Sequence, residues 1–486
     1  MDEEWGRVEE PMSPGSRLFH QPRFNCYIVA LMGFGRRIDL DVVKAGLELT
    51  LIRHPRFSSV KIAEGRGRPR WVRTKVVLED HLVVVEVDPR KVECPDRFLE
   101  DYVSELTKTT MEDFSKPLWE LHLINLPTTE AESVAIFRIH HSLGDGTSLV
   151  SLLLACTRKA ADQSSLPTLP TSGRTRRIPH RRITTGDDKR WWKGLLAMLL
   201  SLWAALRLAW NTAVDMLLFA ATVAFMKDDE TPVKGQPGVG VNPKRIVRRT
   251  LNFEDMKTIK KALGSTINDV LLGMTSAGLA HYLHKRYKGT LRTLPENLRV
   301  RSAVLVNIRP SPGIHALADM MEKGGEGNMK WGNCLGCVIV PFPVKQCEDP
   351  LDYVRMAKAV ADRKKHSLES VCTFLGSLLI LKAFGIQAAA VLPHRVFSHT
   401  TLSFSNVIGP VEEIAFCGHP LVYLAPTVYG HPHALTVHFQ SYMNKMELVI
   451  AADESVITDP HKLCEAIAGS LKQMKDASAT VVPVGK

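Results

Sequence analysis

His140-His141-Ser142-Leu143-Gly144-Asp145-Gly146 decides how this chain is read. An apolar run, Val134-Ala135-Ile136-Phe137, leads in. Ser148-Leu149-Val150-Ser151-Leu152-Leu153-Leu154 leads out with helical character. The stretch reads as strand, turn and helix, with Asp145 as N-cap and Gly146 at a tight bend. Turn chemistry accounts for Asp-Gly. It does not account for two histidines at the end of an apolar strand, where unpaired polar rings are costly to bury. A neutral histidine held there can take a proton from a hydroxyl at pH 7. That points to acyl transfer to an alcohol.

Upstream, helix and strand signals alternate from residue 15 to about 165. Leu40 to Leu49 has helical spacing, and Val76-Val77-Leu78 and His81 to Val87 read as strands. Ser115 to Ile124 reads as a turn into a strand. Downstream, Gln163 to Arg190 turns Ser/Thr/Pro-rich and then basic, through Arg174, Arg176, Arg177, Arg181, Arg182, Lys189 and Arg190. This reads as a linker suited to anionic headgroups. Gly194 to Met226 reads as the most apolar stretch of the chain. Arg207, Asn211 and Asp215 recur four apart within it and give one polar stripe. A mid-helix charge disfavours a simple span. The expectation is a helix lying in the interface, or entering and leaving one leaflet.

Asp228 to Gly240 reads as a second linker. From Lys244 a new αβ block begins, with strands expected at Ser302 to Asn307, Leu335 to Val340, Thr400 to Ser405, Leu435 to Gln440 and Met446 to Ala451. The last two form a hairpin around Asn444-Lys445. Thr266 and Asp269 make an acidic capping box.

The 486 residues, 45% hydrophobic and 23% charged, suit two or three globular domains. The net charge of +11 fits an anionic partner: nucleic acid, an acidic membrane or a phosphorylated cosubstrate. Nine scattered cysteines suit a reducing compartment. Cys334-Leu335-Gly336-Cys337 has no second pair at zinc spacing and reads as part of a buried strand. His431, His433 and His438 read as loop histidines and not as metal ligands. Gly324 to Asn328 reads as a flexible loop. The acidic Met1 to Trp5 is unlike a signal or transit peptide. No Gly-x-Ser-x-Gly elbow is present, which disfavours a serine hydrolase.

The His-His-x-x-x-Asp-Gly arrangement resembles the motif of the CoA-dependent acyltransferase superfamily. Pro117-Leu118-Trp119, Asn268-Asp269, Asn307-Ile308-Arg309-Pro310 and Ser405-Asn406-Val407-Ile408-Gly409-Pro410 resemble segments of wax ester synthase/diacylglycerol acyltransferases, in the same order. Ser13 to Phe19 and Asp228 to Gly235 resemble the plant branch. The resemblance implies a mixed α/β fold of two chloramphenicol acetyltransferase-like domains with the active-site channel between them. Residues 1–165 and 244–486 would form the domains, and 166–243 a basic linker plus an apolar membrane-associated helix. It implies His141 as general base, His140 as its support, Asp145 as loop structure and Gly146 as loop turn. Asn268, Asp269, Pro117, Leu118, Trp119 and Arg309 would form the substrate-binding wall, and Arg309 could pair with a carboxylate such as Asp145.

The implied substrates are fatty acyl-CoA and a fatty alcohol, giving wax ester, with diacylglycerol as a second acceptor giving triacylglycerol. No bound cofactor, metal or nucleic acid is implied. Membrane lipids would be met through residues 174–226, at the endoplasmic reticulum first and the plasma membrane second. Two rivals stand beside this. A transferase acting on phenolic or alkaloid alcohols would carry an Asp-Phe-Gly-Trp-Gly segment, absent here. A non-catalytic lipid-binding membrane protein would not consume acyl-CoA in the presence of alcohol.

Overall fold

Tyr27–Phe34 and Ser133–His140 are buried along their whole length. Strands covered on both faces read as continuous apolar runs, as these do. Arg138, a cation within these strands, is buried but satisfied, donating to Tyr429 Oη (2.7 Å) and Thr109 Oγ1 (2.9 Å).

The computed structural model describes residues 9–63, 67–170, 190–289, 295, 297–309, 313–323 and 331–480. The acidic N-terminal stretch, the basic positions from Arg174 to Lys189 and the Gly324 to Asn328 loop lie outside them. In chain order the strands are β1 (Glu9–Pro11), β2 (Tyr27–Phe34), β3 (Ser59–Ile62), β4 (Arg70–Arg73), β5 (Leu82–Val85), β6 (Trp119–Ile124), β7 (Ser133–His140) and β8 (Thr157–Lys159). They continue as β9 (Arg245–Asn252), β10 (Arg301–Asn307), β11 (Leu335–Pro341), β12 (Leu402–Val407), β13 (Ile414–Phe416), β14 (His419–Tyr429), β15 (Leu435–Tyr442) and β16 (Lys445–Ala452). The helices are α1 (Pro14–Leu18), α2 (Leu40–Leu49), α3 (Pro95–Thr107), α4 (Gly146–Ala155), α5 (Arg190–Ala224) and α6 (Phe253–Ala262). After them come α7 (Ile267–Gly289), α8 (Ile314–Glu322), α9 (Leu351–Lys365), α10 (Glu369–His399) and α11 (Pro460–Ser478).

Two large sheets organise the chain. One has the order β5-β6-β7-β2-β14-β13-β8, the other β11-β10-β12-β15-β16-β9. The expected hairpin is present, with Tyr442 opposite Lys445. The linear division at residue 244 leaves out an exchange. β13 and β14 come from the C-terminal block yet complete the first sheet, β14 pairing with β2 from Tyr429↔Tyr27 to Leu421↔Phe34. This arm ties the two blocks together.

Four local expectations are corrected. Val76 to Leu78 form no strand; the Leu78 carbonyl instead accepts the His81 N–H (3.0 Å), closing a turn over Leu78–Asp80. The Asp228 to Gly240 stretch is no solvated linker. Asp228 is buried on Arg301 (2.5 Å) and Thr401 (2.6 Å), and Val233 is fully buried. The cysteine pair lies at the edge of β11 and is half-buried; all nine cysteines are free thiols. His431 and His433 lie in the β14–β15 loop but are buried, and His438 is on β15.

α5 is one continuous helix. Its polar stripe docks on the protein: Asn211 donates to the His366 carbonyl (3.1 Å), and Asp215 accepts from Arg363 (2.6 Å) and Lys364 (3.0 Å). Arg207 is exposed. α5 does not enter and leave one leaflet by a turn of its own, nor is it the most apolar stretch; α10 is more apolar. By residue count and composition alone both helices match a membrane span, and both are largely exposed.

Candidate active site

β7 delivers the two histidines. At its end the Leu118 carbonyl accepts the His140 N–H (3.0 Å), and the Cys26 carbonyl accepts the His141 N–H (2.9 Å). Strand alternation then sends the rings to different surroundings. His140 is locked. Its Nε2–H donates to Asn25 Oδ1 (2.8 Å), while Nδ1 accepts from the Ser142 hydroxyl (2.6 Å) and backbone N–H (3.2 Å). Both nitrogens are occupied, so the ring can fix the turn but not exchange a proton with a ligand. Burial, then the neighbouring His20 and His141 rings, push its pKa well below the ordinary value.

His141 is different. Its ring lies flat on Phe19, with centroids 4.1 Å apart, and lines a cavity of about 550 Å³ between the two sheets. Its Nδ1 has no hydrogen bond to another residue. Burial lowers its pKa; its own carbonyl, the Asp145 charge and Asn333 oppose this in part. The ring is therefore neutral at pH 7. The backbone is held from the second block: Asn333 Nδ2 donates to the His141 carbonyl (2.9 Å), and Trp331 Nε1 to the Leu143 carbonyl (2.6 Å).

Asp145 lines the same cavity as His141. Its Oδ1 accepts the Ser148 N–H (2.9 Å) and caps α4. Arg309 Nη2 stands 3.7 Å from Oδ2 and also donates to Ser148 Oγ (3.2 Å) and the Gly332 carbonyl (2.6 Å). Gly146 is not the bend. It is the first residue of α4, and a Cβ there would meet nothing. The tight position is Gly144, whose Cβ would come within 3.1 Å of Trp331. Gly146 instead lines the cavity.

The expected wall residues separate into two groups. Asn268 lines the cavity, its Oδ1 3.5 Å from Asn406 Nδ2. Asp269 does not; it completes the capping box, accepting the Thr266 N–H (2.7 Å) while Thr266 Oγ1 accepts the Asp269 N–H (3.2 Å). Pro117, Leu118 and Trp119 are core. Trp119 is fully buried, donates to the Phe57 carbonyl (3.0 Å) and stacks on His81. Arg309 grips the loop and lines no part of the cavity.

Two residues, Phe19 and Asn333, went unread. Phe19 sits in a stretch recognised only as a plant-like segment. Asn333, one residue before Cys334, carried no signal. His438 follows the alternation of β15 into the cavity wall opposite Ser405. Both its ring nitrogens lack partners, and burial pulls its pKa down to about 4. Among the described residues no group of three or more His, Cys, Asp or Glu is placed to hold a metal ion.

A histidine at the end of a central strand, facing an apolar cavity between two sheets joined by an exchanged arm, defines a two-domain acyltransferase of the chloramphenicol acetyltransferase-like class. The fold is shared with the wax ester synthase/diacylglycerol acyltransferase from Marinobacter aquaeolei VT8 (TM-score 0.59, 17% identity, covering 97% of this chain and 100% of that one). It is shared too with the first condensation domain of the calcium-dependent antibiotic synthetase (TM-score 0.59, 13% identity, 98% of each chain). Residues 37–271 match the wax ester synthase/diacylglycerol acyltransferase catalytic domain, and residues 331–475 the C-terminal domain of the same family. Wax ester synthase/diacylglycerol acyltransferase 11 of Arabidopsis thaliana is 50% identical over 477 residues, covering 96% of this chain and 95% of that one. Number 6 of the same plant is 46% identical over 98% of this chain and 95% of its own length. The chain belongs to the wax ester synthase/diacylglycerol acyltransferase family.

Proposed function

We propose that this acyltransferase moves a long-chain acyl group from acyl-CoA to a fatty alcohol, with diacylglycerol as a second acceptor. The observation that carries the chemistry is the neutral His141 ring on the wall of a mainly apolar cavity. His141 Nε2 takes the alcohol proton as the oxygen attacks the thioester carbonyl. Asn268 is the side chain offered to the oxyanion. As the intermediate collapses, the new C–O bond stays and the C–S bond breaks. The imidazolium returns its proton to the departing sulfur, giving ester and free CoA. His140, Asp145 and Arg309 hold the turn from which His141 projects. The apolar walls limit water at the thioester. The exposed α5 and α10 support a membrane-associated location.

The test is purified protein with palmitoyl-CoA, offered hexadecanol and diacylglycerol in competition. The expected result is alcohol-dependent CoA release, with His141→Ala at least about 100-fold slower and unchanged in circular dichroism. Near-wild-type turnover by the folded variant overturns the mechanism. CoA release that is indifferent to alcohol overturns the reaction.

A further inference from the structure

α10 is not one straight helix. Gly385 breaks it with φ 83° and ψ −178°, a conformation that favours glycine. Both halves then line one small cavity: Phe374 and Leu378 from the first, Leu392 and Val396 from the second. On a straight helix Leu378 and Leu392 would stand ~21 Å apart, and Phe374 and Val396 ~33 Å apart. Both ends also return to the same body. At the start, the Leu368 N–H donates to Thr212 of α5 (3.0 Å) and Thr373 Oγ1 to the Cys337 carbonyl of β11 (2.9 Å). At the end, Arg395 donates to the carbonyls of Val223 and Ala224 (3.2 and 3.1 Å) at the close of α5. α10 is a helical hairpin with Phe384 and Gly385 at its tip.

The outer surface of this hairpin suits lipid. Leu379 is 68% exposed and Phe384 75%. Lys382 is the one charged residue between Glu369 and Arg395, and its long stem lets the ammonium reach outward. Each arm, about 15 residues, spans ~22 Å, short of the ~30 Å hydrocarbon core of a bilayer. Along the second arm, an open cavity of about 1110 Å³ runs from Gln387 down to His399, and where α10 meets the end of α5 it carries the exposed cations Arg23, Lys227 and Arg395 against one carboxylate, Glu230. An apolar tip above a basic collar matches acyl chains above anionic headgroups. The space between the arms shares Phe19, Phe24 and Phe397 with the His141 cavity.

Building on the acyl-transfer reading, we propose that α10 is a re-entrant hairpin. It dips into one leaflet of an anionic bilayer, and lipid substrates pass between its arms to His141. A hairpin brings the chain back to the side it left, so β10, β11 and β12 share one sheet although α10 intervenes. α5 flanks the hairpin with further exposed apolar residues, among them Trp203 and Trp210.

The test uses the full chain on vesicles of phosphatidylcholine and phosphatidylserine. Phe384→Trp should show emission quenched by phospholipids brominated along the acyl chain, beyond the quenching of the wild type. No added quenching overturns insertion. Leu379→Asp with Phe384→Asp should slow hexadecanol esterification from vesicles by about tenfold or more. Transfer from hexanoyl-CoA to butanol in water should stay within about twofold. Equal loss in both assays, or loss in neither, overturns the portal. Conversion of a dimer to a monomer by the double substitution, without added quenching in the Phe384→Trp variant, would make the tip an interface between copies and overturn the proposal. A wild-type chain inactive in both assays sinks the acyl-transfer reading and leaves the quenching result to judge insertion alone.

Discussion

Asp145 Oδ2 lies 3.7 Å from Arg309 Nη2, across the boundary between the two blocks. The motif aspartate thus holds the first block's histidine turn to the second block. With Asn333 and Trp331 it fixes the peptide from His141 to Asp145 from outside. Arg309→Ala leaves Asp145 buried with its cap but without its cation. We expect kcat to fall by about tenfold to a hundredfold, ~1.4–2.7 kcal/mol, with little change in KM for acyl-CoA. Arg309→Lys keeps the charge but loses the fork that reaches Ser148 and Gly332, and should fall between the two. Steady-state kinetics on the three proteins checks the order.

Phe19 covers one face of the His141 ring, so it contributes to the burial that lowers the histidine pKa. Phe19→Ala opens that face. The His141 pKa should rise toward its usual 6.5, and the acid limb of the kcat/KM profile should move to higher pH. Phe19→Leu keeps most of the burial and loses the stacking, worth ~0.5–1.5 kcal/mol. Its rate should fall while its acid limb stays near that of the wild type. A pH series on both variants separates burial from stacking.

How far the sequence was legible depended on range. The His140 to Gly146 stretch was readable as strand, turn and helix because each signal is local: an apolar run, a cap, a helical run. The five strands expected after residue 300 were found for the same reason. What escaped was set by distant partners. Asp228-Asp229-Glu230 is acidic and beside glycines and prolines, so it reads as solvated; distant partners, Arg301 and Thr401, make Asp228 internal. Trp119, an aromatic after a turn, reads more readily as core than as lipid entrance, and the Phe57 carbonyl decides for core. α10 is apolar all round, as a buried helix would be, and its exposure follows from packing that composition does not carry. The exchange of β13 and β14 into the first sheet has no local signature at all.

Buried neutral histidines make stability fall with acid. Burial depresses His54 and His431 to about 3 and His438 to about 4, and lowers His140 and His141 as well. The unfolded chain binds these protons near pH 6.5, and the folded chain does not until far lower. The contribution is therefore intact above about 6.5 and is lost as pH falls below it. Each such group costs up to ~1.4 kcal/mol per pH unit in that window. Burial raises the carboxyls of Asp228 and Glu447, which acts in the opposite direction. Urea midpoints measured between about pH 7.5 and 5, roughly one unit either side of the histidine range, should fall steeply below about 6.5. Replacing His438 with Leu should flatten the slope.

The Asp228–Arg301 pair tests what holds the returning chain after α5. Asp228 accepts from Arg301 Nε (2.5 Å), the Arg301 N–H (2.7 Å) and Thr401 Oγ1 (2.6 Å), while Arg301 Nη1 donates to Thr222 Oγ1 (2.6 Å). Burial nevertheless outweighs these partners and raises the Asp228 carboxyl above its ordinary pKa. The pair is thus satisfied but strongly desolvated. Asp228→Ala alone strands a buried guanidinium and should destabilise by ~3–5 kcal/mol. Asp228→Leu combined with Arg301→Met removes both charges and keeps much of the volume. Its cost should be well below that of Asp228→Ala, because the desolvation of both ions disappears with them. It will not reach zero, since the Arg301 N–H and Thr401 hydroxyl lose their acceptor. Urea unfolding of the two proteins gives the comparison, and a double variant as unstable as the single one would show that geometry, not charge burial, fixes this corner.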